Sequence, residues 1–392
     1  MSTSWPVVPL SAVANIERDA VQAADIEEGT LYVGLENIVG GGEFTGVRSV
    51  DEGELASSKF QFGPSHLLYG KLRPYLAKIA RPDFSGVCST DILPILPGPK
   101  LSRDYLSHFL RQQSMVDLAN ARASGANLPR LSPRVLASFD IPLPPLEEQR
   151  RIAAILDQAE TLRTQRRTAL ALLDSLTQSL FLDMFGDPVA NPKGWPTESL
   201  TDLCHCYSGG TPSKAKKEYW EGELPWFSAK DMKAEDLFDS EDHISEHVPE
   251  TTTLKLLPKD TVAIVVRGMI LAHTFPVCVL RIPATINQDL KALLPKQPVN
   301  SQFLAACLRS QSGFVLEKVS EAGHGTKRLD AHGLQSLRIP RPGDALEQTF
   351  ATRIAAIEAL KATHRRALVA LDTLFASLQQ QAFAGGVAGC RT

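Results

Sequence analysis

The chain has 392 residues, of which 43% are hydrophobic and 22% charged, and its formal net charge is −3. This composition is typical of a soluble globular protein with more than one domain. It contains no apolar run long enough for a membrane span, no visible signal peptide and no regular cysteine framework, so we expect a cytoplasmic protein with reduced thiols. The slightly acidic balance does not by itself indicate a nucleic-acid partner.

Two kinds of segment alternate along the chain. Short apolar runs separated by Gly and Pro fill residues 60–98 and 256–295 and predict strands and turns. The segments "YLSHFLRQQ" and "FLAACLRSQ" follow them and predict short helices. Residues 146–185 contain no Gly or Pro, and acidic residues in their first turn favour a long helix. A second long run of helical character ends before Gly385-Gly386.

The two halves of the chain repeat one plan. Identical residues recur 198 positions apart, among them Asp91 and Asp289, Gly125 and Gly323, Arg130 and Arg328, Asp174 and Asp372, and Phe185 and Phe383. Near the start the offset is 190, between Trp5 and Trp195, so the second copy has about eight extra residues there. The repeat predicts an α+β fold of two tandem domains of similar plan, each followed by a long helix.

Apolar residues recur three and four apart along both long helices, with Arg166 and His364 interrupting the series at matching positions. This pattern predicts a narrow seam through which the helices pair as an antiparallel coiled coil about a pseudo-twofold axis. The alternative is two amphipathic helices, each packed on its own domain. The predicted pairing residues are Ile155, Leu162, Leu173, Leu176, Leu180, Ile357, Leu368, Leu371 and Leu378.

These features divide the chain into five segments. We expect the first domain at residues 1–140, its helix at 141–187, the second domain at 188–338, its helix at 339–386, and a tail at 387–392.

Sequence motifs for catalysis are missing. No Walker loop, GxGxxG motif or nucleophile elbow occurs, so the residues predict no catalytic site and no cofactor in this chain. Cys204-His205-Cys206 resembles half a metal site, but no second ligand pair has zinc-ribbon spacing. A strand with alternating small side chains explains the three residues better, and we predict no metal site.

Basic residues in glycine-rich or aromatic surroundings are the better functional signal. Flexible loops carrying Lys and Arg suit contacts to phosphates and base edges. The alternative for any single residue is a solvated basic face. Because the pattern occurs in both halves, we select as candidate DNA contacts Lys71, Arg73, Lys214, Lys217, Arg267 and Lys327.

The chain resembles the specificity subunits of type I restriction-modification systems over nearly its whole length. The stretch 194–232, "LLYGKLRPYLAKI" (67–79) and "TINQDLKALLP" (285–295) look like parts of that family's target recognition domains. "IPLPPLEEQRRIAAIL" resembles the family's junction into its conserved helix. The second junction, "PRPGDALEQTFATRIAAI", departs from the pattern with extra residues and no double proline.

The resemblance implies two target recognition domains that each bind one half of a split double-stranded DNA site, separated by two antiparallel spacer helices. It implies that catalysis belongs to partners: two methyltransferase subunits, which would hold S-adenosylmethionine, and restriction (motor) subunits where the system has them. Two other classes remain open, a structural coiled-coil adaptor and, with less support, a single-chain DNA methyltransferase or nuclease.

Overall fold

The computed structural model of the chain describes residues 5–51, 54–321 and 325–384. The predicted tail 387–392 and the Gly385-Gly386 stop lie outside the described residues. The chain forms two compact units, one comprising Met1–Arg167 and Arg366–Thr392 and the other Thr168–Arg365. Each unit therefore includes part of both long helices.

The first unit contains two sheets and a separate strand pair. Its strands are β1 (Val7–Pro9), β2 (Ala14–Ile16), β3 (Ala20–Val21), β4 (Leu31–Val33), β5 (Arg48–Ser49), β6 (Lys59–Phe62), β7 (Leu67–Gly70), β8 (Ile79–Ala80), β9 (Gly86–Cys88), β10 (Ile92–Pro97) and β11 (Asp140–Pro142). Its helices are α1 (Arg103–Leu110), α2 (Gln113–Ala121), α3 (Pro133–Ala137) and the first part of α4 (Leu146–Phe185). The strand orders are β2-β10-β7-β8 and β3-β6-β9-β4-β5, and β1 pairs with β11.

The second unit has the same kinds of element. Its strands are β12 (Thr197–Ser199), β13 (Cys204–Ser208), β14 (Leu224–Phe227), β15 (Asp236–Leu237), β16 (His243–Ile244), β17 (Thr261–Val265), β18 (Val277–Leu280), β19 (Thr285–Ile286), β20 (Leu290–Pro295), β21 (Ser320–Glu321), β22 (Lys327–Arg328) and β23 (Arg338–Pro340). Its helices are α5 (Leu200–Leu203), α6 (Val248–Thr251), α7 (Ser301–Ser310), α8 (Ser312–Glu317), α9 (Ala331–Ser336) and the first part of α10 (Asp344–Ala384).

The sequence repeat corresponds to a repeat of topology. The order β2-β10-β7-β8 in the first unit recurs as β13-β20-β17-β18 in the second, where β15 extends the sheet. The pair β1–β11 recurs as β12–β23, and the parallel pair β4–β9 recurs as β14–β19. The predicted α+β fold with two domains of similar plan is confirmed. No helix among the described residues is long and apolar enough to cross a membrane.

Both units contain the same contact between the two long helices. In the first unit the Arg163 guanidinium lies 2.6 Å from the Asp372 carboxylate and 4.5 Å from the centre of the Phe375 ring. In the second unit Lys361 Nζ lies 2.9 Å from Asp174 Oδ1. Lys361 and Asp372 lie 198 positions after Arg163 and Asp174, so the two ion pairs are equivalent in the repeat. The start of α4 therefore packs against the end of α10, and the start of α10 against the end of α4, so the predicted antiparallel packing of the two helices is confirmed.

Each globular core also holds the end of a helix that begins elsewhere in the chain. In the first unit the Phe383 ring from α10 lies 5.3 Å from the ring of Tyr105 in α1. In the second unit the Phe185 ring from α4 lies 4.8 Å from the ring of Phe303 in α7. All four side chains are almost completely buried. The helix ends are therefore part of the hydrophobic cores.

The predicted pairing residues differ in burial. Leu173, Leu180, Ile357, Leu368, Leu371 and Leu378 are half-buried. Ile155, Leu162 and Leu176 are 40%, 38% and 45% exposed and stay a prediction as pairing residues. Near its start, α4 instead buries Ile152, Leu156 and Ala159 in the core of the first unit. A helix that packs on its own domain as well as on another helix buries a wider face than a single seam.

A buried glutamine fixes the first junction between domain and helix. Gln149, in the first turns of α4, is completely buried. Its Oε1 accepts a hydrogen bond from Ser102 N at 2.8 Å, and its Nε2 donates to Lys100 O at 2.9 Å and Pro144 O at 2.8 Å. The amide thereby satisfies a donor and a carbonyl in the segment that leads into α1 and one carbonyl of the Pro-rich junction, groups that would be costly to leave unpaired.

Glu347, 198 positions after Gln149, occupies the same place in the second unit. Its Oε2 accepts from Asn300 N at 3.0 Å, as Gln149 accepts from Ser102. A carboxylate cannot donate, and here Arg341 Nη2 donates to Pro298 O at 3.1 Å, the equivalent of Lys100 O. Arg341 Nε also lies 3.9 Å from Glu347 Oε1. An Arg–Glu pair thus replaces one glutamine.

These equivalent positions determine the register of the second helix. Helix α10 begins at Asp344, 198 positions after the start of α4 at Leu146. The expectation of extra residues in the second junction is therefore wrong. Gly343 replaces Pro145 without an insertion, and the apparent match of Glu148-Gln149 to Glu347-Gln348 is offset by one residue from the match that the hydrogen bonds support.

We predict that Gln149→Glu lowers the free energy of unfolding by about 3 kcal/mol at pH 8, because it buries a carboxylate without a nearby arginine and removes the donor for two carbonyls. Glu347→Gln should change it by less than about 1 kcal/mol. Denaturant unfolding of both variants measures this difference, and equal losses would contradict the proposed role of Arg341.

The pH dependence supplies a second measurement on the same residue. Burial raises the pKa of the Glu347 carboxyl above its ordinary value. The folded state therefore binds a proton more tightly than the unfolded state, and the contribution of Glu347 to stability falls as the pH rises from its unfolded-state pKa through this raised pKa. Glu347→Gln should remove that part of the pH dependence.

Candidate nucleic-acid interface

One loop in each unit is held by the same backbone hydrogen bonds. In the first unit Lys71 N donates to Asp91 O at 2.9 Å, and Arg73 N donates to Pro129 O at 2.7 Å. Leu131 N returns a bond to Lys71 O at 2.9 Å. The loop that follows β7 is thereby fixed between the turn before β10 and the segment 124–130, whose ends form a bridge between Ser124 and Arg130.

The loop that follows β17 repeats this arrangement in the second unit. Val266 N donates to Asp289 O at 2.8 Å, Gly268 N to Lys327 O at 3.0 Å, and Leu329 N to Val266 O at 2.9 Å. Arg267 forms an isolated bridge with Arg328 of β22, as Leu72 does with Arg130 in the first unit. We call the two loops, 71–77 and 266–273, the contact loops.

The basic side chains beside the first contact loop share one carboxylate. Arg130 donates to Asp91 through Nε at 3.0 Å and Nη2 at 3.3 Å, and Lys71 Nζ lies 3.9 Å from Asp91 Oδ1. Arg73 is exposed and has no side-chain partner among the described residues. Of the three cations, Arg73 is the one that a ligand can reach without breaking an ion pair.

In the second unit the equivalent carboxylate does not hold the equivalent arginine. Asp289 Oδ2 accepts from Asn287 Nδ2 at 3.1 Å, and Asp289 N donates to Asn287 Oδ1 at 3.0 Å. Arg267 and Arg328 are exposed and have no side-chain partner within the described ranges. Lys327 is paired with Glu321 at 2.9 Å. The second contact loop therefore presents two adjacent, unneutralised guanidinium groups.

Lys214 and Lys217 lie at a different place in the second unit. They line a cleft of about 450 Å³ together with Trp220, Trp226 and Asp242. The two indole rings contact edge to face at 5.2 Å. Both lysines are exposed. Aromatic rings beside exposed lysines suit unstacked bases or a nucleic-acid backbone.

The structure thus sorts the six candidates from the sequence. It places Arg73 and Arg267 on the contact loops with exposed side chains, places Lys71 and Lys327 in ion pairs beside those loops, and places Lys214 and Lys217 in the tryptophan cleft. The candidate set did not include Arg328, which the repeat marks as the equivalent of Arg130. It also did not include the exposed apolar residues of both contact loops.

Two groups with metal-ligating side chains have other roles. Cys204–Ser208 forms strand β13, in which Cys204 is buried and His205 is exposed. Burial raises the pKa of the Cys204 thiol to about 12, which disfavours the thiolate that binds metals. Strand formation, as predicted, separates these side chains onto opposite faces.

In the first unit His108, Asp157 and Glu160 converge, and theirs is the one such group found within the described residues. Burial disfavours the charged form of Asp157, yet hydrogen bonds from His108 and Arg81 outweigh it and hold the pKa of this carboxyl far below its usual range. Glu160 is paired with Arg111 at 2.6 Å. These arginines neutralise the carboxylates and tie α4 to the globular domain.

The paired loops and the repeated topology can be compared with known proteins. The family model described as the type I restriction modification DNA specificity domain matches residues 4–171 and, a second time, residues 192–368. The chain belongs to this family. The resemblance seen in the sequence is therefore confirmed, and each match covers one repeat.

Named relatives match parts of the chain. The specificity subunit of the type I restriction enzyme EcoR124I/EcoR124II from Escherichia coli is 33% identical over 204 residues, which are 52% of this chain and 50% of the relative. The MjaIX specificity subunit from Methanocaldococcus jannaschii is 29% identical over 164 residues, 41% of this chain and 37% of the relative. The matches thus span half or less of these relatives.

Two solved structures share the fold over nearly the whole chain. A chain from a type I R-M system has a TM-score of 0.62 and 21% identity, and the match covers 97% of this chain and 98% of that one. The S subunit of the type I restriction-modification system from M. genitalium also has a TM-score of 0.62, with 14% identity and coverage of 97% and 96%. At these identities the likeness supports the fold.

The first contact loop has a strained backbone at a position where the second has glycine. Arg73 has a φ of 51°, a left-handed conformation that side chains disfavour, while Gly268 has a φ of 139°. We predict that Arg73→Gly raises the free energy of unfolding by up to about 1 kcal/mol, whereas Gly268→Ala lowers it by about 1–3 kcal/mol. Denaturant melts measure both, and a destabilised Arg73→Gly would contradict strain at this residue.

Proposed function

We propose that this chain is the non-catalytic, DNA-recognising subunit of a type I restriction-modification complex and acts in the cytoplasm. The observation that carries the proposal is the pair of contact loops, one per unit, held by equivalent hydrogen bonds and flanked by exposed arginines. Family membership supports it, because relatives that match parts of the chain are named specificity subunits of type I restriction enzymes. Each unit would bind one half of a split double-stranded site.

The same proposal assigns chemistry to partner subunits. Two copies of a methyltransferase subunit would bind this chain and hold S-adenosylmethionine, and restriction subunits would join them in a complex that cuts DNA. The repeat of topology supports two methyltransferase copies, because two units of one plan offer two similar docking surfaces. We also propose that the domain limits 1–140 and 188–338, with spacers 141–187 and 339–386, are the units of exchange between family members.

The exposed arginines of the second contact loop should bind phosphates or base edges. We predict that Arg267→Ala and Arg328→Ala each weaken binding to a DNA duplex and reduce the slope of log K against log salt concentration by about one unit, because each removes one cation and its counterion release. Affinity titrations from about 50 to 200 mM salt measure the slope.

Lys259 provides the matched control. It is exposed and precedes β17, whereas Arg267 follows that strand, so the two lie at opposite ends of one rigid element. Lys259→Ala should leave the slope unchanged. Equal slopes for wild type and both arginine variants would remove these residues from the interface.

Domain exchange tests recognition itself. We predict that replacing residues 1–140 by the first domain of another family member changes one half of the methylated sequence and leaves the other half unchanged. The reason is that each unit contains one of the two contact loops. Replacing residues 188–338 should change only the other half. Base-resolved methylation mapping in cells that hold the methyltransferase partner measures both, and a change of both halves by one exchange would refute modular recognition.

A further inference from the structure

Both contact loops present two adjacent apolar side chains to solvent, and the pair in the second loop begins one residue earlier, since Gly268 is the equivalent of Arg73. In the first loop Tyr75 and Leu76 are 51% and 41% exposed, and in the second loop Met269 and Ile270 are 63% and 37% exposed. Single exposed apolar residues are ordinary on protein surfaces. Here an exposed apolar pair occurs in each of two equivalent loops, and one equivalent position, Tyr75 in the first loop and Ile270 in the second, is exposed in both.

Each pair is held rigidly on a short 3₁₀-helix. In the first loop this helix is Pro74–Leu76, where Leu76 N donates to Arg73 O and Ala77 N to Pro74 O, both at 2.9 Å. Pro74 is buried beneath the exposed pair. Two left-handed residues, Arg73 and Ala77, bracket the helix. Left-handed conformations at side chains other than glycine are costly and are often found at functional sites.

The second loop also holds its exposed pair on a short 3₁₀-helix, with different residues. Its 3₁₀-helix is Met269–Ala272, Leu271 is buried, and His273 N donates to Ile270 O at 3.1 Å. A preformed loop loses little conformational entropy when it binds, so contacts made by its tip are retained as affinity.

The charges beside the pairs indicate what covers them. Arg73 directly precedes the first 3₁₀-helix, and Arg267 precedes the second by two residues and bridges to Arg328. These guanidinium groups are exposed. An apolar tip flanked by unneutralised cations is complementary to a polyanion that also offers apolar surface. Duplex DNA does so, through thymine methyl groups, sugars and the faces of base pairs at a widened step.

We propose that Tyr75-Leu76 and Met269-Ile270 enter a groove of duplex DNA and contribute a salt-independent part of its binding, while the neighbouring arginines hold the phosphates. This inference rests on the proposed function. It adds that each contact loop has an apolar tip, its exposed pair, next to exposed arginines. Removing the tip and removing an arginine should have different effects on the salt dependence of DNA binding.

The experiment is a salt titration of duplex binding with the full chain. The double variant Met269→Ser/Ile270→Ser and the double variant Tyr75→Ser/Leu76→Ser should each bind a mixed-sequence duplex about tenfold or more weakly at every salt concentration, with an unchanged salt slope. Arg267→Ala should instead reduce the slope. The conservative variants Met269→Leu/Ile270→Val and Tyr75→Phe should retain wild-type affinity, which separates loss of the apolar contact from a distorted loop.

Leu256→Ser is the matched control, because Leu256 is also exposed but lies before β17, at the opposite end of that strand from the contact loop. Unchanged affinity in both double variants would overturn the inference while the proposed function stands. A reduced salt slope in those variants would also overturn it, since the tip would then act through charge placement. If these variants bind DNA normally but lose a methyltransferase partner, the tips are protein contacts and the inference fails. A wild-type chain that binds no duplex, even together with its methyltransferase partner, would refute the proposed function as well.

Discussion

The structure of each unit depends on the burial of the C-terminal end of one long helix in its hydrophobic core. The globular domain of that unit leads directly into the other long helix. In the first unit Phe383 packs between Tyr105 and Phe109, and in the second Phe185 packs against Phe303 and Phe350. Burial of each such ring contributes roughly 1.5–3 kcal/mol. Since the contributing segments are far apart in the chain, neither core is complete until both helices have formed. Truncation within α10 would therefore affect the first unit, which the N-terminal domain dominates.

Polar contacts then select the register of the paired helices. The ion pairs Arg163–Asp372 and Lys361–Asp174 involve partly exposed carboxylates, so their contribution to stability is small, about 1 kcal/mol or less. Lys361 is nearly buried, and it pairs with Glu358 of its own helix at 2.8 Å as well as with Asp174. A shift of one helix along the other would remove the Asp174 contact and leave Lys361 with its partner in α10. Hydrophobic burial thus supplies the stability, and the ion pairs between the helices add a smaller preference for this register.

The two contact loops show how one backbone plan can carry different surface chemistry. Their hydrogen bonds to the rest of each domain are equivalent, yet Asp91 neutralises Arg130, whereas Asp289 is hydrogen-bonded to Asn287 and Arg328 has no side-chain partner among the described residues. The first loop also stores backbone strain at Arg73, where the second has a glycine. Such differences change the exposed charge of each loop without disturbing the sheet beneath, as the proposed recognition of two unlike half-sites would require.

The sequence by itself determined the large-scale plan of this protein. The 198-residue repeat and the two long helices follow from residue spacing, because helical periodicity and repeated motifs are one-dimensional signals, and the family follows from the resemblance of several stretches to known specificity subunits. Tertiary structure alone decided which candidates are accessible: Lys71 and Lys327 lie beside carboxylates, while Arg73 and Arg267 remain exposed. It also decided that an Arg341–Glu347 pair makes at the second junction contacts that Gln149 alone makes at the first. In the same way, it decided that α4 buries Ile152 and Leu156 while Ile155 stays exposed. Burial and ion pairing depend on neighbours that the fold brings from distant strands, and a spacing pattern within one segment carries no information about them.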